Sequence, residues 1–215
     1  YSASALVADG RFGGQYYFLK RQMVWSGLGL GGLMVALRMP LARVQKWSRP
    51  LLAAVVILLV LVLAVGHEVG GAKRWLRLGG LGLQPSEFAK LAVVLALADY
   101  LDRKQSRLAK FAEGVVPALI LTGVVLGLIA LERDLGTPLL IGSVAVGMIY
   151  LAGARLAHLA TLGLALLPVV GTAVLAVPYR RQRLLAFLDP WQDAQGTGYQ
   201  LVQSLLALGS GGFWG

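Results

Sequence analysis

Leu51-Leu52-Ala53-Ala54-Val55-Val56-Ile57-Leu58-Leu59-Val60 is the stretch on which the fold turns. A helix of a soluble bundle carries a polar stripe at the 3.6-residue period, and these residues carry none. The run lies within Pro50 to Gly66, 17 residues without a charge, and crossing a hydrocarbon core takes about 17–25 such residues. The same pattern recurs along the chain. Leu135 to Ala154 gives 20 uncharged residues and Gly114 to Leu131 gives 18. Leu156 to Pro178 holds no formal charge and only His158 as an ionisable group. Gln22 to Leu37 gives 16, long enough if Arg21 and Arg38 snorkel to the interface. Pro85 to Leu101 is apolar apart from Glu87, Lys90 and Asp99, and Tyr1 to Ala8 reads as the end of a span cut off upstream. The expected fold is all-α: a polytopic integral membrane helix bundle of six whole spans plus part of one more.

Composition agrees. Of 215 residues 57% are hydrophobic and 14% charged, and mean hydropathy is +0.72. Soluble domains hold about 25% charged residues, so a soluble chain this poor in charge lacks the means to cover its surface. Cysteine is absent, which excludes disulfides, thiolate metal sites and a cysteine nucleophile. Lys and Arg outnumber Asp and Glu by 20 to 10. No basic run is interleaved with aromatics, so the excess reads as topology signal and lipid-facing charge rather than nucleic-acid binding. No basic leader opens the chain, and it reads as a piece of a longer polytopic protein.

Alternate loops form two sets. Arg38 to Arg49, Asp102 to Glu113 and Gly153 to His158 carry nine Lys/Arg in about 30 residues; the others carry eleven in nearly 80. The denser set is assigned to the cytoplasm, which puts the segment after Tyr179 outside. Trp25 and Trp47 read as interfacial anchors, and His158 as a boundary residue.

Three polar patches then fall on the outer side. The first runs Gly70-Gly71-Ala72-Lys73-Arg74-Trp75-Leu76 and Gln84-Pro85-Ser86-Glu87-Phe88-Ala89-Lys90. Pro85 suits a first helical position, and Glu87 and Lys90, three apart, share a face. They form either a neutralised helix start or, with Lys73 and Arg74, a site for an anionic headgroup. The second is Glu132-Arg133-Asp134-Leu135-Gly136-Thr137-Pro138, a charged turn at the bilayer surface where uncompensated charge is costly. The third runs from Pro178-Tyr179-Arg180-Arg181-Gln182-Arg183 to Asp189-Pro190-Trp191-Gln192-Asp193-Ala194-Gln195-Gly196-Thr197-Gly198-Tyr199-Gln200. It reads as a binding or catalytic loop, with Gly196 and Gly198 allowing a tight turn beside Asp193.

Gly71 to Trp75, Gln84 to Lys90, Asp134-Leu135-Gly136-Thr137, and Asp189 to Asp193 through Gly198-Tyr199-Gln200 together resemble the signatures of the SEDS family (shape, elongation, division and sporulation). The resemblance covers nearly the whole chain, in order. Ser2-Ala3-Ser4, Asp189-Pro190-Trp191 and Gln203 to Ala207 are most similar to the division branch. Two departures are Ala194 and Arg133, at positions where many members carry Pro. Members are bundles of roughly ten membrane helices, so residues 1–215 are expected to be one transmembrane domain truncated at its C-terminus, with 179–200 a large extracytoplasmic loop.

The resemblance implies polymerisation of peptidoglycan from lipid II at the division septum, in the bacterial cytoplasmic membrane. It implies Asp193 as the general base, with Asp189 as its rival, and Lys73, Arg74, Trp75, Glu87, Lys90, Asp134, Arg180, Arg183 and Gln200 on the substrate side. The partner it implies is a class B penicillin-binding transpeptidase, alongside other division proteins. The chemistry suits so small a set. A sugar hydroxyl attacking an anomeric carbon needs one base, and pyrophosphate leaves without the second carboxylic acid a glycosidase requires. No cofactor is demanded, although a divalent cation, Mg or Mn, fits the same place. A lipid II flippase and a non-catalytic division scaffold remain the competing readings.

Overall fold

The computed structural model describes residues 16–69, 72–78, 81–132, 134, 136–176 and 178–211. Among them are eight α-helices: α1 (Tyr17–Leu37), α2 (Leu41–Val65), α3 (Pro85–Arg103), α4 (Val116–Leu131), α5 (Gly136–Leu151), α6 (Leu156–Leu175), α7 (Pro178–Leu188) and α8 (Tyr199–Gly211). The first six coincide with the six expected spans, and Tyr1 to Ala8 lies outside the described residues. α2 begins nine residues before the expected start at Pro50 and runs through that proline. α4 is preceded by a π-helical turn, Phe111–Val115. α2 and the segment Phe111–Leu131 are each long and apolar enough to cross a bilayer. The protein is a polytopic membrane helix bundle.

Two features depart from a purely helical reading. Between α2 and α3 the chain forms a three-stranded antiparallel sheet, β1 (His67–Val69), β2 (Ala72–Leu78) and β3 (Leu81–Leu83), in the order β1-β2-β3. The segment 179–200, expected to be a large extracytoplasmic loop, holds helical structure of its own: most of α7, a 3-10 turn at Pro190–Asp193, and the start of α8. Pro178 occupies the first position of α7, and Arg-Arg-Gln-Arg-Leu-Leu-Ala that follows consists of good helix formers. A stretch too polar to span a bilayer is still free to be helical.

The chain folds as two compact units that divide between Ala152 and Gly153; Gly153 has φ +104°, a conformation open to glycine. In the first unit α3 is central. Ala89, Ala92 and Val93 pack with Val55 and Leu59 of α2, Val125 and Ile129 of α4, and Ile141 of α5. Alanines three and seven apart along one face let neighbouring helices approach closely, the packing that drives association where lipid removes the hydrophobic effect. Outward faces are apolar as well: Ile57, Val60, Ile120, Val124 and Leu139 are all exposed. Lipid solvates such faces; water does not.

The ends of this unit differ sharply in charge. Asp99, its side chain only 2% exposed, accepts from Arg49 Nε of α2 at 3.1 Å and from Arg103 Nε at 2.8 Å. That pairing joins the basic segments 38–49 and 102–113 at one end. The sheet and the α4–α5 turn form the other. Asp99→Asn removes the buried charge that the two exposed guanidinium groups share. Its expected cost is about 1–3 kcal/mol, read as a fall of several degrees in the thermal midpoint of the purified protein; an unchanged midpoint would show that the triad is dispensable.

Candidate functional site

β2 sets the first patch by alternation. In a strand successive side chains take opposite faces, so Arg74 and Leu76 share one face and Lys73 and Trp75 the other. Leu76 is buried and Arg74 partly so, while Lys73 and Trp75 are exposed. Lys73 stands across from Glu68 of β1. The Trp75 ring lies against Gly82 of the neighbouring strand, where an added Cβ would come within 3.2 Å of Cε3. The inward turn of Arg74 carries it to the second patch: its Nε donates to the Glu132 carbonyl at 3.2 Å. Two of the three expected patches therefore meet at one end of the first unit.

At the start of α3, Pro85 is the first helical residue, as expected. Lys90 Nζ lies 2.7 Å from Glu87 Oε2, so this pair closes on itself at the helix entry. Gln84 Nε2 donates to Ser86 Oγ at 3.0 Å.

The α4–α5 turn treats its two acidic groups oppositely. Asp134 is a helix-capping group: Oδ1 accepts from Gly136 N at 3.1 Å and Thr137 N at 3.4 Å, and Oδ2 from Thr137 Oγ1 at 2.9 Å. Its carboxylate satisfies the open N–H groups that begin α5, a structural task beside the substrate contact expected of it. Glu132, by contrast, is 1% exposed and has no hydrogen-bond partner for either carboxylate oxygen among the described residues. Burial first, then the Asp134 charge, raises its pKa against the opposing pull of Arg74, and it is pushed up to about 7. The sequence reading counted Glu132 only as part of a charged turn. Nothing local marks it, because its burial comes from contacts made by residues far along the chain.

The second unit builds the third patch. Asp189 Oδ1 accepts from Trp191 N at 3.3 Å and Oδ2 from Gln192 Nε2 at 3.0 Å, so this carboxylate caps the 3-10 turn. Asp193, at the turn's end, is exposed. Its Oδ2 accepts from Thr197 N at 2.8 Å and from Thr197 Oγ1 at 3.0 Å; Oδ1 takes neither bond. The Thr197 N–H and hydroxyl, with help from the Gly196 N–H, hold the Asp193 carboxyl below the ordinary Asp range, so it stays ionised through neutral pH. Asp193 and Asp134 share a pattern, Asp followed within four residues by Gly-Thr, in which one carboxylate oxygen takes the Thr hydroxyl.

Both glycines of this turn are required for room. A Cβ on Gly196 would run into the Asp193 carboxylate, and one on Gly198 into the Pro190 carbonyl. Beside Thr197 lies an open groove of about 290 Å³ lined by Ala186, Phe187, Thr197, Gln200, Leu201 and Ser204. Gln200, expected on the substrate side, is thus a groove residue. The side chains of Arg180 and Arg183 lie outside the described residues, although both positions belong to α7. Among the described residues no cluster of three or more His, Asp or Glu is placed to hold a metal ion.

The family model described as "Cell cycle protein", covering FtsW, RodA and SpoVE, matches residues 1–215. The chain is 41% identical to "Probable peptidoglycan glycosyltransferase FtsW" of Geobacter sulfurreducens over all of this chain and 58% of that protein. It is 39% identical to stage V sporulation protein E of Bacillus subtilis, over all of this chain and 59% of that one. Among solved structures it resembles a chain of a peptidoglycan synthase complex that coordinates polymerization and crosslinking, with a TM-score of 0.74 and 40% identity over 91% of this chain and 58% of that one. It also resembles the rod shape determining protein RodA of Thermus thermophilus, with a TM-score of 0.60 and 38% identity over 71% of this chain and 50% of that chain. The chain thus spans under three fifths of the length of these relatives.

Proposed function

The chain belongs to the FtsW/RodA/SpoVE family of cell cycle proteins, and from that premise we propose that it is the larger part of a peptidoglycan glycosyltransferase that polymerises lipid II during septal wall synthesis. The observation that carries this reading is the Asp193 carboxylate: exposed, ionised and fixed by Thr197, which itself lines an open groove. A sugar 4-hydroxyl attacks the anomeric carbon of a second lipid-linked sugar. The new O4–C1 bond forms as the C1–O bond to pyrophosphate breaks, the configuration inverts from α to β, and the hydroxyl proton passes to Asp193. Oδ1 is the receiving oxygen, because Oδ2 is occupied by Thr197. A depressed pKa weakens a base, so positioning rather than basicity supplies its advantage.

The leaving pyrophosphate calls for cations, and Arg is suited to grip it bidentately. Each unit brings candidates of its own: Lys73, Arg74 and Lys90, with Trp75, Glu87 and Asp134, in the first, and Arg180 and Arg183, with Gln200, in the second. No cofactor is needed, and a divalent cation, Mg or Mn, would add positive charge at the same pyrophosphate. The proposed setting is the bacterial cytoplasmic membrane at the division septum, with the sheet end outside and the Arg49–Asp99–Arg103 end inside. The proposed partner is a class B penicillin-binding transpeptidase, in keeping with the synthase complex that this chain resembles. A flippase needs polar groups open to a path across the bilayer, whereas Asp99 is closed on Arg49 and Arg103. The full-length protein with its transpeptidase partner, given lipid II, is expected to yield a muramidase-sensitive ladder of glycan strands. Absence of the ladder together with lipid II translocation in vesicles would replace this reading with the flippase.

A further inference from the structure

Glu132 is a buried carboxylate without a hydrogen-bond partner among the described residues, and the Arg74 guanidinium donates to its own backbone carbonyl. An isolated ionised carboxylate in such a place is costly, and the group turns neutral unless a positive charge supports it. Two described charges act on it: Arg74 of β2, attractive, and Asp134 of the following turn, repulsive. On the opposite face of β2 Lys73 stands across from Glu68 of β1. α2 carries no ionisable side chain between Arg49 and Val65. α3 brings Glu87 and Lys90, which neutralise each other at 2.7 Å. α4 ends at Leu131, so the negative end of its dipole also bears on the carboxylate. Among the described residues, Arg74 is the cation that the structure holds against Glu132.

We propose that Glu132 is a proton-exchanging partner of Arg74: ionised, it neutralises the guanidinium, and by taking up a proton it releases that guanidinium to the doubly charged pyrophosphate of a lipid-linked sugar. The inference rests on the reading that Arg74 binds this pyrophosphate, and it adds a positioning residue with a defined pH signature. A dianion beside Arg74 draws the guanidinium's field away from Glu132 and adds its own negative potential. Both effects favour the neutral acid. Binding then takes up a proton from solvent, and by linkage affinity falls as pH rises above neutrality. No covalent bond changes; the proton returns to solvent when the product leaves.

The test uses full-length protein in nanodiscs and a short-chain lipid II as probe. Its pyrophosphate is a diester whose two charges do not titrate near neutrality, so any pH dependence belongs to the protein. In the wild type the dissociation constant is expected to rise about tenfold between about pH 6.5 and about pH 8.5, whereas in Glu132→Gln it changes less than about twofold. Calorimetry in buffers of different ionisation enthalpy should show proton uptake on binding by the wild type and none by the variant. A variant that keeps the wild-type slope, or a wild type that binds without taking up a proton, overturns the inference while leaving the pyrophosphate site standing. Failure of both proteins to bind at any pH overturns the pyrophosphate reading itself, and this inference with it.

Discussion

Asp193→Asn lowers glycan polymerisation by about 10²–10⁴-fold, the usual contribution of a positioned general base, while leaving the fold of the turn in place. The separation of the two effects follows from the geometry. Oδ2 accepts both Thr197 bonds, at 2.8 and 3.0 Å, and the amide oxygen of Asn accepts the same two. The substitution removes the charge and the capacity of Oδ1 to take a proton while keeping both Thr197 bonds. Expression, membrane insertion and the thermal midpoint of the purified complex are expected to match the wild type, while the glycan ladder disappears from the gel. Asp189→Asn provides the contrast, since that carboxylate spends both oxygens on the 3-10 turn. It should reduce activity modestly and mainly through stability. A ladder of normal intensity from the Asp193 variant would remove this residue from the reaction.

Gly198→Ala should also lower polymerisation, with the carboxylate still present. Gly198 is buried, its N–H donates to the Asp193 carbonyl at 3.0 Å, and a Cβ there would collide with the Pro190 carbonyl. Both obstacles are backbone, so neither can swing aside. Relief comes only by moving the Pro190–Asp193 turn away from α8, at an overpacking cost of about 1–3 kcal/mol. Displacement of a catalytic group by about 1 Å costs on the order of 10²-fold in rate. Steady-state polymerisation should therefore drop by about 10–100-fold, with substrate binding less affected. Gln195→Ala, at an exposed position of the same turn, is the control and should remain near wild type. Equal rates for Gly198→Ala and the control would show that the turn tolerates expansion and that its tightness has no catalytic meaning.

Much of this architecture was legible in the chain because membrane spans are a local property. Each span sums the apolarity of its own residues, and six runs of 16 residues or more became six helices. Motif positions were legible for a related reason: Pro at a helix start and Asp before Gly-Thr make bonds with residues only a few positions away. Asp134 with Thr137 and Asp193 with Thr197 are such cases. The sheet was missed although its signal was present. Gly70-Gly71 and Gly79-Gly80 separate three short runs by two residues each, the spacing of hairpins. The sequence takes Lys73 and Arg74, with Lys90, as donors to one anionic headgroup; the strand's period of two sends Arg74 inward and Lys73 outward.

What the sequence determined by itself was where the chain can enter and leave a bilayer and which short turns close on their own side chains. Those outcomes need only neighbours. The tertiary structure decided which carboxylate is buried and which cation meets it. Arg74 and Glu132 are 58 positions apart, and the environment of Glu132 exists only once β2 has folded against the α4–α5 turn. Ionisation depends on what surrounds a group in space, so the character of Glu132 had to wait for the fold, whereas the capping of Asp134, two residues along, did not.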